Sequence, residues 1–152
     1  MDIVIFQGPH PAPRRPSAQA LSALRRMARA AGRVLRVHAC GSLRDFIVSL
    51  RRVRGEEAFV LLDPGELAEP MRADPALRDA LEAMHAPYVE VHDSSASVLE
   101  LALRAPAMPL ATIVINGDLC ASYRIALGIA LRRSVPHATH TPPLTRERQS
   151  GD

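Results

Sequence analysis

Residues 74–92 read Asp-Pro-Ala-Leu-Arg-Asp-Ala-Leu-Glu-Ala-Met-His-Ala-Pro-Tyr-Val-Glu-Val-His, and the period of the apolar residues changes in the middle of the stretch. Asp74-Pro75 is a strong helix start: a capping carboxylate, then a proline whose missing N–H costs nothing at the first helical position. Leu77, Ala80, Leu81 and Met84 follow at helical spacing and make one buried face. Beyond Pro87, Tyr88–Val91 is short and rich in strand-forming residues, so it reads as a strand.

The same alternation extends in both directions. Asp2–Phe6 is a short apolar strand that ends in Gln7-Gly8-Pro9, and the proline-rich stretch from His10 to Pro16 is a loop. Ser17 starts a helix with Leu21, Leu24, Met27, Ala28 and Ala31 on its inner face, stopped by Gly32. Val34–His38 is a second strand. Ser42 and Asp45 fit a capping box with aspartate in the acidic place, ahead of a stripe of Leu43, Phe46, Ile47, Leu50 and Val53, and Gly55 stops that helix. Ala58–Leu62 is a third strand, ending at Asp63-Pro64-Gly65. After the fourth, a short helix is expected over Val98–Leu103. Ala111–Ile115 is a fifth strand, and Leu119, Tyr123, Ala126, Leu127, Ala130 and Leu131 form the last amphipathic helix. Residues 1–133 make one domain. From Ser134 to Asp152 the chain turns to Pro, Thr, His and Arg without periodicity and reads as a flexible tail, in which His137 and His140 are solvated.

Five apolar strands alternating with helices imply an α/β three-layer sandwich with a parallel sheet. The simplest right-handed arrangement is the flavodoxin-like order 2-1-3-4-5. Ligands in such sheets bind beyond the carboxyl ends of the strands, which here are Gln7–His10, His38–Gly41, Asp63–Gly65, Glu90–Ser94 and Asn116–Asp118.

Composition narrows the class further. The chain has 152 residues, 47% of them hydrophobic and 23% charged, which fits one globular domain rather than a disordered chain. No apolar run reaches the roughly 18 residues of a membrane span, and the N-terminus lacks a basic leader, so a cytoplasmic protein without a membrane partner is expected. Cys40 and Cys120 are too few for a disulfide scaffold, and Cys40 is expected as a small buried residue. All 19 basic residues are arginine. They are unevenly placed: residues 1–54 carry a net +9 and residues 55–152 a net −6. Aromatic residues are only 3% of the chain, too few to stack single strands, so the split points to subunit contacts rather than to nucleic acid.

Three stretches carry a resemblance. Asp2-Ile-Val-Ile-Phe-Gln-Gly-Pro-His10 resembles the opening strand of the type II dehydroquinases, which runs into an Asn-Gly-Pro-Asn turn. Ala76-Leu-Arg-Asp-Ala-Leu81 and Pro87-Tyr-Val-Glu-Val-His92 resemble that family's Leu-Arg-Asp-Ala helix and Pro-x-x-Glu-Val-His strand. Ala111-Thr-Ile-Val-Ile115, with Tyr123 and Ala126-Leu127, resembles its last strand and helix. The match runs in order over residues 1 to about 133.

The resemblance implies a flavodoxin-like subunit that assembles as a homo-oligomer, a dodecamer built from trimers, and works without a cofactor. It implies elimination of water from 3-dehydroquinate through an enolate. A loop tyrosine beside an arginine takes the proton, an asparagine in the first turn holds the water that stabilises the enolate, and a histidine, oriented by a glutamate, protonates the leaving hydroxyl. Carried over, the acid pair is His92 with Glu90, which share a strand face at i and i+2. Arg14 or Arg15 stands for the loop arginine. Asp79 matches the aspartate that reaches into a neighbouring subunit's site. Ser94 matches the serine that grips the substrate carboxylate, with Asp93 beside it.

The departures weigh more. The loop has no tyrosine, and Tyr88 and Tyr123 fall in a strand and a late helix. His10 replaces the water-holding asparagine. Asp63 stands where the third strand should end in asparagine, placing negative charge where an enolate would form. Glu66–Ala73 lacks the family histidine and holds about three extra residues, and the family arginine after the fourth strand falls near Leu99. The expected function is therefore a dehydroquinase-like protein without dehydratase activity, with a small-molecule-binding, regulatory or scaffolding role. The alternative is an active dehydratase, or a related lyase of the shikimate/quinate pathway, whose rebuilt site uses His10 or Asp63 in place of the tyrosine. A third reading places a divalent metal among His10, Asp63, Glu69, Glu90 and His92. On any of these, Asp63 and Asp93 are expected to disfavour an acidic ligand.

Overall fold

Residues 2–55 and 58–133 are described by the computed structural model. Strands β1 (Asp2–Gln7), β2 (Leu35–Ala39), β3 (Ala58–Asp63), β4 (Tyr88–His92) and β5 (Ala111–Val114) form one parallel sheet in the order β2-β1-β3-β4-β5. This is the order expected from the sequence.

Alternation in the central strands decides which side chains fall on which face. Ile3 and Ile5 of β1, Phe59 and Leu61 of β3 and Val89 and Val91 of β4 pack with helices α1 (Ala18–Ala30) and α5 (Leu119–Arg133). Phe6, Val60, Leu62 and Tyr88 face the other way, against α2 (Leu43–Arg51), the short α3 (Ala68–Ala73) and α4 (Pro75–Met84). Burying both faces explains why these strands read as nearly continuous apolar runs.

The helix starts follow the sequence signals. Ser17 caps α1 through Ala20 N, and Asp74 caps α4 through Ala76 N at 2.8 Å. The box at α2 is modified: Ser42 Oγ accepts from Asp45 N, while Asp45 Oδ2 accepts from Gly41 N, one residue before the cap. An aspartate is one methylene shorter than the usual glutamate, and it meets the preceding amide instead.

Three expectations are corrected. Val98–Leu103 is not helical. A 3₁₀ turn at Ser95–Ser97 leads into irregular extended chain, with Glu100 at φ 51, and a second 3₁₀ turn at Ala105–Ala107 ends it. Leu99, Leu101 and Leu103 pack against the core while the residues between them are exposed. That is a period of two, and the Leu99 amide is held by Glu90 Oε1 at 2.9 Å rather than by a helix. Second, Gly65–Leu67 and Ala68–Ala73 form a 3₁₀ turn and a helix where the sequence reading assigned no element. Third, Met27 is 41% exposed, because α1 is held mainly through Leu24 and Ala28. The expected C-terminal tail lies outside the described residues.

Candidate active site

The carboxyl ends of β1 and β3 run into two turns, Gly8-Pro9-His10 and Asp63-Pro64-Gly65, that press backbone against backbone. Gly8 N donates to Asp63 O at 2.7 Å, and Glu66 N donates to Pro9 O at 2.9 Å. A β-carbon at Gly8 would lie 2.1 Å from Pro64 O, and one at Gly65, where φ is 57, would lie 2.3 Å from Pro9 O. Only glycine permits that approach.

The contact sets His10 on Asp63. His10 Nε2 lies 2.7 and 2.9 Å from the two Asp63 oxygens, and Asp63 is fully buried. Tyr123 of α5 donates to Asp63 Oδ2 at 2.5 Å, Gly65 N donates to Oδ1 at 3.2 Å, and Gln7 Nε2 donates to the Tyr123 oxygen at 3.2 Å. Gln7 and Asp63 are paired in register on adjacent strands, so both reach the α5 side. Burial pushes the Asp63 carboxyl up, against the hydrogen bonds from His10 and Tyr123. Burial lowers the affinity of His10 for its proton, but the Asp63 hydrogen bond and the charges of Asp63, Asp93 and Glu66 outweigh it, and the imidazole ends above its ordinary value. Burial and the Asp63 charge raise Tyr123 well above a free phenol, which keeps it a donor.

Glu90 and His92 form a second pair on the other face. Register places Glu90 beside Leu62, one residue before Asp63, so the two carboxylates point to opposite sides of the sheet. His92 Nε2 lies 2.8 Å from Glu90 Oε1, as the i and i+2 spacing implied. Its Nδ1 lies 3.0 Å from Ser97 Oγ, whose own proton goes to Ser94 O at 2.9 Å. The hydroxyl is therefore placed to accept from Nδ1. Both ring nitrogens are taken, and the His92 side chain is 0% exposed.

A cavity of about 250 Å³ opens beyond these strand ends, lined by His10, Arg14, Glu66, Arg72, Asp93 and Ser97 among others. It is smaller than the roughly 300–1,000 Å³ typical of drug-sized sites and suits a metabolite-sized guest. Ser94 and Glu69 also line it; His92, Glu90 and Asp63 do not. Arg14 Nε stands 4.0 Å from Asp93 Oδ2, and Arg15 donates to His10 O at 3.2 Å. Ser94 Oγ is used within its own turn, accepting from Ala96 N. Asp79 lies exposed on α4 and away from the cavity lining. The five residues of the metal reading divide into the two pairs plus Glu69, and no group of three such side chains converges among the described residues. Asp63 presents no charge to the cavity, because its oxygens face His10, Tyr123 and Gly65 N.

Sequence reasoning missed Tyr123, Gln7, Ser97 and Arg72. Arg72 comes from the unassigned segment. It lines the cavity, donates to Ala96 O at 2.6 Å, and has a buried Nε without a partner among the described residues. It supplies a guanidinium on the cavity wall, although the position of the family arginine falls at Leu99. A larger groove of about 470 Å³ runs along β2 and α2 among Val4, Phe6, Arg36, His38 and Arg52, and no residue of either acid–base pair lines it. Cys40 is 1% exposed, and burial pushes its thiol up to about 11, so it is a core residue and no nucleophile at neutral pH.

The model of the family described as dehydroquinase class II matches residues 15–131. The chain belongs to the class II dehydroquinase family. No curated protein matches it in sequence. Among solved structures it is similar to a 3-dehydroquinate dehydratase-like protein from Bifidobacterium longum, with a TM-score of 0.63 and 20% identity over 89% of this chain and 98% of that one. It is also similar to the type II dehydroquinases of Propionibacterium acnes (TM-score 0.65, 20% identity, 86% and 98% covered) and Butyrivibrio crossotus (0.65, 16%, 87% and 97%). At these identities the likeness is one of fold. This dehydroquinase-fold chain thus keeps the topology of its neighbours.

Proposed function

We propose that this class II dehydroquinase homologue has lost 3-dehydroquinate dehydratase activity and binds a small molecule in the cavity beside His10, in a regulatory or scaffolding role in the cytoplasm. The observation that carries the reading is the sealed state of His92, whose ring nitrogens are bonded to Glu90 and Ser97 with nothing exposed. A proton donor must reach its substrate within hydrogen-bond distance. The tyrosine that takes the proton in the family pattern is missing as well. Tyr88 donates to Ala107 O and Tyr123 donates to Asp63, and burial raises both phenols. Each positioned acid or base contributes about 10²–10⁴-fold, so loss of both leaves at most ~10⁻⁴ of the rate they give together. Purified protein incubated with 3-dehydroquinate is expected to show no growth of conjugated-enone absorbance at high protein concentration. Robust turnover would overturn the reading.

One observation favours the runner-up, a dehydratase or related lyase with a rebuilt site: His10, on Asp63, is a titratable group on the cavity wall. In that case turnover would depend on His10 rather than on His92.

The proposal includes assembly as trimers or a dodecamer. It rests on the +9 and −6 halves of the chain and on Arg78 and Asp79, both exposed on α4 and free to meet a second subunit. Light scattering at moderate salt should read a trimer or a multiple of it. A strict monomer would sink this part of the proposal.

A further inference from the structure

Asp93 follows the last residue of β4 and is held firmly through its backbone. Gly117 N donates to Asp93 O at 2.9 Å, and Ser122 Oγ donates to the carbonyl of the preceding His92 at 2.6 Å. Its side chain is only 8% exposed, yet neither carboxylate oxygen accepts a hydrogen bond among the described residues. The one ion-pair contact is Arg14 Nε at 4.0 Å, beyond hydrogen-bond reach and on a side chain that is 61% exposed. Other donors on the cavity wall are committed elsewhere: His10 Nε2 to Asp63, Ser97 Oγ to Ser94 O, and Arg72 Nη2 to Ala96 O. A carboxylate this far from water ordinarily has donors of its own. Asp93 instead lines the cavity of about 250 Å³, with its oxygens left for whatever enters.

We infer that Asp93 is the amine subsite of this cavity, and that the guest is a small zwitterion of the amino-acid class, with its ammonium on Asp93 and its own carboxylate among the arginines. The inference rests on the proposed small-molecule role and names the class of guest. An ammonium brings three donors and a charge, and its bonds to a carboxylate are about twice as strong as neutral ones. A neutral hydroxyl in the same place would leave the buried charge uncompensated. A simple anion would meet Asp93 as a like charge. The rest of the wall sets the other end of the guest: Arg14, Arg72 and His10 in its protonated form stand against Glu66, Glu69 and Asp93. Three positive and three negative groups balance, so a guest carrying one charge of each sign leaves the site neutral. A divalent ion does not fit, because no group of three ligating side chains converges among the described residues.

The same geometry makes a statement about the empty protein. A carboxylate that is buried without donors contributes little to the fold and is kept at some cost to stability, as groups reserved for binding commonly are. Because the backbone on both sides of it is already fixed, little ordering remains to be done when a guest arrives.

The test uses the full chain and thermal unfolding with each of the common L-amino acids at millimolar concentration. At least one should raise the midpoint, since a ligand that binds only the folded state stabilises it. Its N-acetyl form, whose nitrogen carries no charge, and its carboxamide form, which lacks the carboxylate, should raise it much less, and quinate should not raise it. Asp93→Asn keeps the shape of the side chain and removes its charge. Titration calorimetry should show it weakening the best amino acid by about 10–100-fold, the range for a hydrogen bond to a charged group. Without ligand, Asp93→Asn should melt at or above the temperature of the parent. A marked drop would reveal a protein partner for the carboxylate in solution and overturn the inference. It would equally be overturned by no shift with any amino acid, by equal shifts with the blocked forms, by a shift with quinate alone, or by unchanged affinity in Asp93→Asn. Each of these results leaves the proposed loss of dehydratase activity standing, because turnover of 3-dehydroquinate tests that separately.

Discussion

Asp63→Ala is expected to lower the unfolding free energy by about 3–5 kcal/mol, the range for breaking a buried pair by removing one partner. Asp63 is fully buried and satisfies Tyr123, Gly65 N and a His10 side chain that is 5% exposed. Alanine leaves these donors without an acceptor in a site too enclosed for easy rehydration. The substitution should also change how stability depends on pH. His10 has a folded value raised above 6.5, so its contribution is complete below 6.5 and is lost as pH rises through the raised value. Asp63, raised from 3.8, adds a loss of the same sign that begins lower, above 3.8. Urea unfolding of the parent should therefore weaken as pH climbs beyond 6.5, and Asp63→Ala should lack that decline. A loss below about 1 kcal/mol would show that the hydrogen bonds are not formed in solution.

Gly8→Ala should be more severe relative to the atoms added. One methyl carbon would sit 2.1 Å from Pro64 O and 2.9 Å from Asp63 O, both backbone atoms that cannot rotate away. The ends of β1 and β3 would have to separate, breaking the Gly8 N to Asp63 O bond at 2.7 Å. We expect a loss of more than about 4 kcal/mol, in the range reserved for a small set of severe mechanisms, or no folded protein at all. Gly32→Ala provides the comparison: its φ is 72 but nothing lies within 4 Å of the added carbon, so it bears only the cost of backbone conformation. Circular dichroism and thermal melts of the two variants separate the clash from the conformational cost. Equal effects would refute the close-approach argument.

The fold was legible because its signals are local. Apolar runs such as Ala58–Leu62 and stop residues such as Gly32 lie within a few residues of what they determine, whereas Gly55 does not: α2 ends at Arg51, before the Val53 that the stripe had included. Where a local signal was read with the wrong period, the element was wrong: Leu99, Leu101 and Leu103 alternate, and the alternation belonged to extended chain. The site was legible only in part, for the same reason. Glu90 and His92 are two residues apart, and their pairing follows from strand geometry. His10 and Asp63 each stood out as departures from the family pattern, but their pairing spans 53 positions and depends on two glycines in separate turns. Tyr123 falls on a late helix, where the sequence gives a phenol no reach to the loop. It is nevertheless part of the site, as a hydrogen-bond donor to the carboxylate behind His10. The register pairing Gln7 with Asp63 on the α5 side was the one clue, and it becomes visible only once the strand order is known.

The Tyr123 contact has a consequence for how the protein is made. Asp63 leaves the ribosome 60 residues ahead of the tyrosine that completes its hydrogen bonds, and Gln7 precedes that tyrosine by 116. The centre of the sheet can pair as soon as β3 has emerged, since β1 and β3 are neighbours. Until α5 docks, however, the carboxylate of Asp63 lacks its phenol and the face of the nascent sheet that α1 and α5 share is only half covered. Closure of the polar centre is thus a late event in synthesis, tied to the final helix. A chain released early would expose apolar strands and an incompletely satisfied carboxylate together, the kind of surface that chaperones and proteases recognise.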